Sequence, residues 1–142
     1  MSEVSVFDVI GPIMVGPSSS HTAGAVRLGL MARALLGVPV QKAIVGLHGS
    51  FAHTGKGHGT DRAIIGGLLG FAPDDGRIRA SLSLAEAQGL EFTLQEVDLG
   101  GEAHPNSATF ELWGADAHVH CTGASVGGGM IRITEVEGYE VD

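Results

Sequence analysis

The chain has 142 residues, of which 44% are hydrophobic and 17% charged, and its formal net charge at pH 7 is −8. This length predicts one domain over residues 1–142, and the acidic balance, with no cluster of Lys or Arg, excludes nucleic acid as a partner because phosphate binding needs a basic face. The only cysteine, Cys121, excludes an internal disulfide and any metal site built from cysteines alone.

In chain order, a short apolar opening, Val4–Ile10, precedes a polar stretch that leads into the first helical pattern. Apolar residues at three- and four-residue steps predict helices, and these cover Thr22–Leu36, Arg62–Gly70 and Ile78–Gln88. Buried or alternating runs predict strands over Val40–His48, Glu91–Asp98, Thr109–Trp113, Ala117–Thr122 and Met130–Val136. The order of these elements predicts an α+β fold, with helices packed on a mixed or antiparallel sheet.

Local details of these elements can be checked directly. The first helix should bury a stripe formed by Ala23, Val26, Leu30, Met31, Ala34 and Leu35. The second should be capped by the side chain of Thr60 or Asp61. The segment Gly123–Gly129 should be a loop between two strands.

The start of the chain lacks the basic region of a signal peptide, and the longest apolar runs of the chain are far shorter than the roughly 20 residues that a membrane helix needs. We therefore expect a soluble, cytoplasmic protein that does not bind membranes. Its positive mean hydropathy and low charge favour a homo-oligomer in which apolar surface is covered.

Four polar loops stand beside predicted helix or strand ends, where binding residues are often presented. They are Ser18–Thr22, Gly55–Asp61, His104–Ser107 and Ser125–Gly129. The first opens a helix, whose free N–H groups and positive dipole end favour an anion. If the loops converge, they suit a small, charged, hydroxylated ligand. The alternative is that these four loops only cap helices and form turns.

The sequence matches the motifs of nucleotide-binding, zinc and cysteine-based sites poorly. The Gly49…Gly55-Lys56 spacing is one residue too long for a phosphate-binding loop, and Arg62 replaces the third glycine of a dinucleotide loop. His118 and His120 face the same side of a strand and could share zinc in a stand-alone metal-dependent enzyme, although a solvated strand face is the simpler interpretation. Cys121 is expected to be a small buried hydrophobe.

Several motifs together resemble the β domain of iron–sulfur-dependent L-serine dehydratases. They are Val4–Pro12, the string Gly16-Pro17-Ser18-Ser19-Ser20-His21-Thr22-Ala23-Gly24, Gly55-Lys56-Gly57-His58-Gly59-Thr60-Asp61, His104-Pro105-Asn106 and Ser125-Val126-Gly127-Gly128-Gly129. The resemblance implies an enzyme of amino-acid degradation and gluconeogenesis that converts L-serine to pyruvate and ammonia. It also implies a fold like the allosteric substrate-binding domain of some D-3-phosphoglycerate dehydrogenases.

The resemblance further implies a partner α domain or subunit that carries a [4Fe–4S] cluster, while this chain binds no cofactor or metal and is inactive alone. It would bind L-serine or a related small anion, and either regulate or complete the active site of the α domain. The candidate binding residues are Ser18, Ser19, Ser20, His21, Thr22, His58, Gly59, Thr60, Asp61, His104, Asn106, Ser125, Gly127 and Gly128. No residue is assigned a catalytic role. Some β subunits continue into a regulatory ACT domain, so these residues could be a short subunit or an excised piece.

Overall fold

A computed structural model describes residues 19–53, 59–137 and 139–140. Its strands are β1 Lys42–Leu47, β2 Glu91–Glu96, β3 Ser107–Gly114, β4 Ala117–Gly127, β5 Met130–Val136 and β6 Tyr139–Glu140. Its helices are α1 Ser19–Leu36, α2 Ser50–His53, α3 Thr60–Leu68 and α4 Ser81–Ala87, with a 3-10 helix over Gly76–Ala80. Two of the predicted site residues, Ser18 and His58, and the opening Val4–Ile10 lie outside the described residues.

The strands form one six-stranded sheet in the order β2-β1-β3-β4-β5-β6. The pair β1–β2 is parallel, and the other neighbours are antiparallel. The parallel pair needs a crossover, which the segment containing α2, α3 and α4 provides. The α+β prediction with a mixed sheet is therefore confirmed.

The helices cover one face of the sheet, which carries the core. Strand side chains buried on that face are Ala43, Val45, Leu47, Ala108, Phe110, Leu112, Val119 and Cys121. They pack with apolar side chains of the helices, including Val26, Leu28, Ile64, Ile65 and Leu68. Alternate residues such as Ile44, Glu111 and His118 point to the opposite face and are partly or fully exposed. We call this opposite face the outer face.

Helices α1 and α3 cross at a very close approach that only glycine allows. A Cβ built on Gly29 would collide with Ile64 O, and one on Gly67 would collide with Val26 O. A Cβ on Gly29 would also lie 3.0 Å from Gly67 Cα, and just past the end of α3 a Cβ on Gly70 would lie 3.1 Å from Cζ of Arg33. Gly29 thus meets Gly67, and the later residue Arg33 meets the later residue Gly70, so α1 and α3 run in the same direction and begin at the same end of the molecule.

The direction of α1 relative to the sheet follows from close contacts between its residues and the strands. A Cβ on Gly123 would lie 2.8 Å from Leu28 Cδ2, one on Gly114 would lie 3.3 Å from Leu36 Cδ2, and Gly24 contacts Ser125. Helix α1 therefore runs antiparallel to β4. We use the name loop end for the end of the sheet where α1 and α3 begin. At this end β1 and β4 finish and β3 starts. The other is the hairpin end, because it carries the β3–β4 turn.

Several predicted boundaries are wrong in instructive ways. Strand β4 continues through Gly127, so most of the expected loop Gly123–Gly129 is strand, because its backbone pairs with β5 across two irregularities of register. Helix α1 begins at Ser19 rather than Thr22. The short helix α2, which the sequence does not predict, follows β1, and the third predicted helix is divided into a 3-10 helix and α4.

The predicted buried stripe of α1 is partly wrong. Val26 is buried and Leu30 and Met31 are half-buried, but Ala34 and Leu35 are exposed. The helix instead buries Ala25, Val26, Leu28, Ala32 and Leu36. Apolar and small residues surround most of this helix, so the sequence pattern does not single out one face. The side packed between the sheet and α3 is decided by tertiary contacts.

Candidate functional site

The loop His104–Ser107 is tied to the sheet at the loop end by a chain of hydrogen bonds. Ser125 N donates to Asn106 O at 2.9 Å, and Asn106 N donates to His104 Nδ1 at 3.0 Å. Ser107 Oγ donates to His104 O at 2.7 Å. On the other side, Ser50 N donates to Pro105 O at 2.7 Å, which joins the loop to the start of α2. Two of the four predicted loops therefore meet.

The beginning of α1 lies against the same point. Gly24 approaches Ser125 so closely that a Cβ would collide with the Ser125 hydroxyl, and Ser125 itself is only 3% exposed. Residues Ser19–Thr22 form the first turn of the helix. The N–H groups of this turn have no partner within the helix, which makes it suited to an anion. The side chain of Thr22 is half-buried there.

The beginning of α3 has a different cap from the one predicted. Gly59 is the N-cap residue, at a φ of 100°, and none of the described side chains caps the helix. A cap by Thr60 or Asp61 is wrong, because both already lie inside the first turn and are buried, at 2% and 6% exposure. The Asp61 carboxylate accepts a hydrogen bond from Arg62 N at 2.7 Å. A carboxylate at this position is favoured by the helix dipole.

Asn106 carries a buried acceptor at the loop end. Its Oδ1 atom is inaccessible to solvent and has no hydrogen-bond partner among the residues that the structure describes. A buried acceptor left without a donor costs about 1–3 kcal/mol. Such an atom is suited to receive a hydrogen bond from an N–H or O–H group of a ligand.

The turn between β4 and β5 completes the loop end. Gly127, Gly128 and Gly129 have φ values of 107°, 63° and 79°, which favour glycine. Gly129 O accepts a hydrogen bond from Arg27 Nη1 at 2.7 Å, so α1 holds this turn. The role of Arg27 is not predicted by the sequence, because nothing in the local pattern links it to a carbonyl 102 residues away.

The described parts of all four predicted loops thus lie at the loop end. The helix direction places the starts of α1 and α3 at the end of the sheet where the loop His104–Ser107 and the β4–β5 turn lie. The predicted site residues that fall there are Ser19, Ser20, His21, Thr22, Gly59, Thr60, Asp61, His104, Asn106, Ser125, Gly127 and Gly128. Whether they bind a ligand stays a prediction.

His118 and His120 lie elsewhere, on β4 near the hairpin end. His118 Nε2 is 3.0 Å from Glu111 Oε2, and its ring centroid is 5.0 Å from that of Trp113. The exposed His118–Glu111 pair on the outer face agrees with the simpler interpretation of a solvated strand face. Within the described residues, no three His, Cys, Asp or Glu side chains are arranged to hold a metal ion.

Comparison with known proteins decides the family. Residues 5–97 match the sequence profile described as serine dehydratase beta chain. The chain belongs to this family. The matched region includes the first two candidate loops, Ser18–Thr22 and Gly55–Asp61, and the helices that present them.

Individual relatives extend the similarity over the rest of the chain. The chain is 50% identical over 137 residues to a Bacillus subtilis protein named probable L-serine dehydratase, beta chain, and 45% identical over 143 residues to the L-serine dehydratase, beta chain, of Peptoniphilus asaccharolyticus. It covers 62% and 64% of those proteins, which are therefore longer. An L-serine dehydratase of Mycobacterium bovis is 35% identical over 160 residues, and the chain spans 34% of its length.

The residues of this beta-chain family member do not fit an iron–sulfur cluster. A [4Fe–4S] cluster is held by about four thiolates, and these 142 residues contain one cysteine. That residue, Cys121, is fully buried in the sheet, and burial raises the pKa of its thiol to about 12. The expectation of a small buried hydrophobe is confirmed.

None of the helices in the described residues is long and apolar enough to cross a bilayer.

Proposed function

We propose that the chain combines with an iron–sulfur α domain or subunit to form an L-serine dehydratase, which converts L-serine to pyruvate and ammonia, and that its loop end binds L-serine. The observation that carries the proposal is that two helix N-termini and two polar loops lie at one end of the sheet, in a chain of the serine dehydratase beta chain family. The names of the similar proteins support this substrate.

The chemistry of the loop end matches the two charges of L-serine. The first turn of α1 offers N–H groups and serine hydroxyls to the carboxylate. Asp61 and the buried Asn106 Oδ1, which has no partner among the described residues, offer acceptors to the ammonium group. In this proposal His21, His58 and His104 hydrogen-bond the ligand or transfer protons.

The α partner is required because this chain has too few thiols for the cluster. The proposed enzyme works in the cytoplasm, where cysteine thiols stay reduced, and the chain forms a homo-oligomer. A stand-alone metal-dependent enzyme built on His118 and His120 gains no support from the described residues.

The first test is calorimetric titration of the full chain with L-serine, with D-serine as the control for stereospecific binding. We expect L-serine to bind and Asp61→Asn to weaken binding about tenfold or more, because a charged hydrogen bond is lost. A matched control is Asp74→Asn, which removes one exposed carboxylate from the turn before the 3-10 helix. Equal effects of the two substitutions, or no stereospecific binding even after the α partner is added, would refute the proposed site.

Two uses of this site are separated by His58→Ala in the complex with the α partner. If the loop end completes the active site, kcat at saturating L-serine falls steeply. If it is a regulatory site, only the L-serine concentration needed for activity changes.

A further inference from the structure

A cavity lies at the hairpin end, far from the loop end. It has a volume of about 210 Å³ and is formed where α1 and α3 end and β1 and β2 begin. Leu68 and Leu90 supply apolar walls, and Arg33, Gln41 and Gln88 supply the polar groups. Along α1, Arg33 is eleven residues after Thr22, a distance of about 16 Å at the helical rise of 1.5 Å per residue.

Arg33 is positioned by packing rather than by an ion pair. Its guanidinium lies against Gly70, where a Cβ would be 3.1 Å from Cζ and 3.3 Å from Nη2. Gly70 also has a φ of 94°, so both its backbone conformation and its lack of a side chain suit glycine. The side chain of Arg33 is half-buried in this position.

The polar side chains that line this cavity, half-buried at Arg33 and exposed at Gln41 and Gln88, form no hydrogen bond with the described residues. In the described part of the chain, no carboxylate or carbonyl accepts a hydrogen bond from the Arg33 guanidinium. The side-chain amides of Gln41 and Gln88 likewise have no partner there, while their backbone N–H groups donate to Trp113 O and Leu84 O. An arginine offers five donors in a planar fork that matches a carboxylate, and a carboxamide can both donate and accept.

Size restricts the ligand further. A drug-sized pocket usually exceeds about 300 Å³, and one water molecule occupies about 30 Å³ in the liquid. A cavity of about 210 Å³ therefore suits a small metabolite. Among the residues that line the cavity, Arg33, in the last turn of α1, is the only charged one, so the lining offers a positive group and no acidic group to a ligand.

We propose that this cavity is a binding site for a small organic carboxylate with a second polar group, such as a keto, hydroxy or amino acid. Arg33 pairs with the carboxylate, and the amides of Gln41 and Gln88 contact the second polar group. The site is separate from the loop end and does not depend on the function proposed for it. Because α1 begins at one site and ends at the other, the two sites share one helix.

The test is a nuclear magnetic resonance titration of the full, ¹⁵N-labelled chain with three probes: acetate, pyruvate and L-serine, each up to about 10 mM. We expect pyruvate or L-serine to shift the Arg33 Nε–H signal and the side-chain amide signals of Gln41 and Gln88 in a saturable way. Acetate, which lacks a second polar group, should bind more weakly.

Arg33→Gln should weaken this binding about tenfold or more, because it removes the charged donor and keeps a polar side chain. Arg79→Gln is the matched control, since Arg79 is an exposed arginine of the 3-10 helix and lies outside the cavity lining. Gln88→Leu, at an exposed position, should weaken pyruvate or L-serine more than acetate.

The absence of saturable shifts at Arg33 with all three probes overturns the proposal, as does equal binding to the Arg33→Gln and Arg79→Gln variants. Shifts confined to Thr22, Thr60 and Asp61, with none at Arg33 from pyruvate or L-serine, would support the loop-end site and refute this one. Saturable shifts at Arg33, Gln41 and Gln88 would support this site, whether or not the loop end also responds.

Discussion

Replacing Gly67 by alanine tests the helix crossing on which the loop end depends. A Cβ at this position would collide with Val26 O and would lie 2.8 Å from Leu30 N and 2.9 Å from Gly29 Cα. All three are backbone atoms of α1, so no side chain can rotate away. Ordinary contacts between non-bonded carbons are about 3.5–4.0 Å, and the two helices must therefore separate.

The magnitude follows from two opposing effects. Alanine in a helix is favoured over glycine by roughly 0.5–1 kcal/mol, whereas inserting a methyl group into a tightly packed core costs typically about 1–3 kcal/mol. Since the obstruction at Gly67 is rigid, we expect Gly67→Ala to lower the free energy of unfolding by about 1–2 kcal/mol. With a urea dependence of about 1–3 kcal/mol per molar for small proteins, the unfolding midpoint should fall by roughly 1 M.

Urea unfolding followed by circular dichroism measures this change. Gly76→Ala is the matched control, because a Cβ there meets nothing within 4 Å and a surface substitution usually changes stability by less than about 0.5 kcal/mol. If Gly67→Ala were as stable as the parent chain, α1 and α3 would not be in contact here. The shared start of the two helices at the loop end would then be refuted as well.

Three further outcomes are expected. Arg27→Ala should lower the free energy of unfolding by about 1 kcal/mol and speed amide hydrogen exchange around Gly129, because the hydrogen bond to Gly129 O is lost. Unchanged amide exchange would contradict that contact. Cys121 should react with iodoacetamide at pH 8 only when the chain unfolds, and rapid labelling of the folded chain would be inconsistent with burial. Because burial raises the pKa of its thiol from 9.0 to about 12, the folded chain should lose stability as the pH rises above 9. Cys121→Ala should reduce that loss. His118→Ala should change the thermal midpoint little, because its pair with Glu111 is exposed, and a loss above about 1 kcal/mol would show that the outer face is covered.

For the candidate site, residue types alone predict which loops are involved but not how they are arranged. Hydroxyls, histidines and glycines beside predicted helix and strand ends are enough to identify four candidate loops. The chain order of those loops does not show that they meet, because the meeting depends on the parallel direction of α1 and α3. That direction is set by the crossing at Gly29 and Gly67, two glycines that the local pattern marks only as weak helix formers.

The sequence by itself determined the elements that depend on local chemistry: the apolar strand β1, the alternating strand β5 and the buried character of Cys121. Tertiary structure alone decided which face of α1 is buried, because small and apolar residues surround most of that helix. It also decided that β4 continues through Gly127, since backbone pairing with β5 outweighs the turn preference of its glycines. The unengaged Arg33 at the hairpin end is likewise visible only in three dimensions, because whether a charge finds a partner depends on what the fold places beside it.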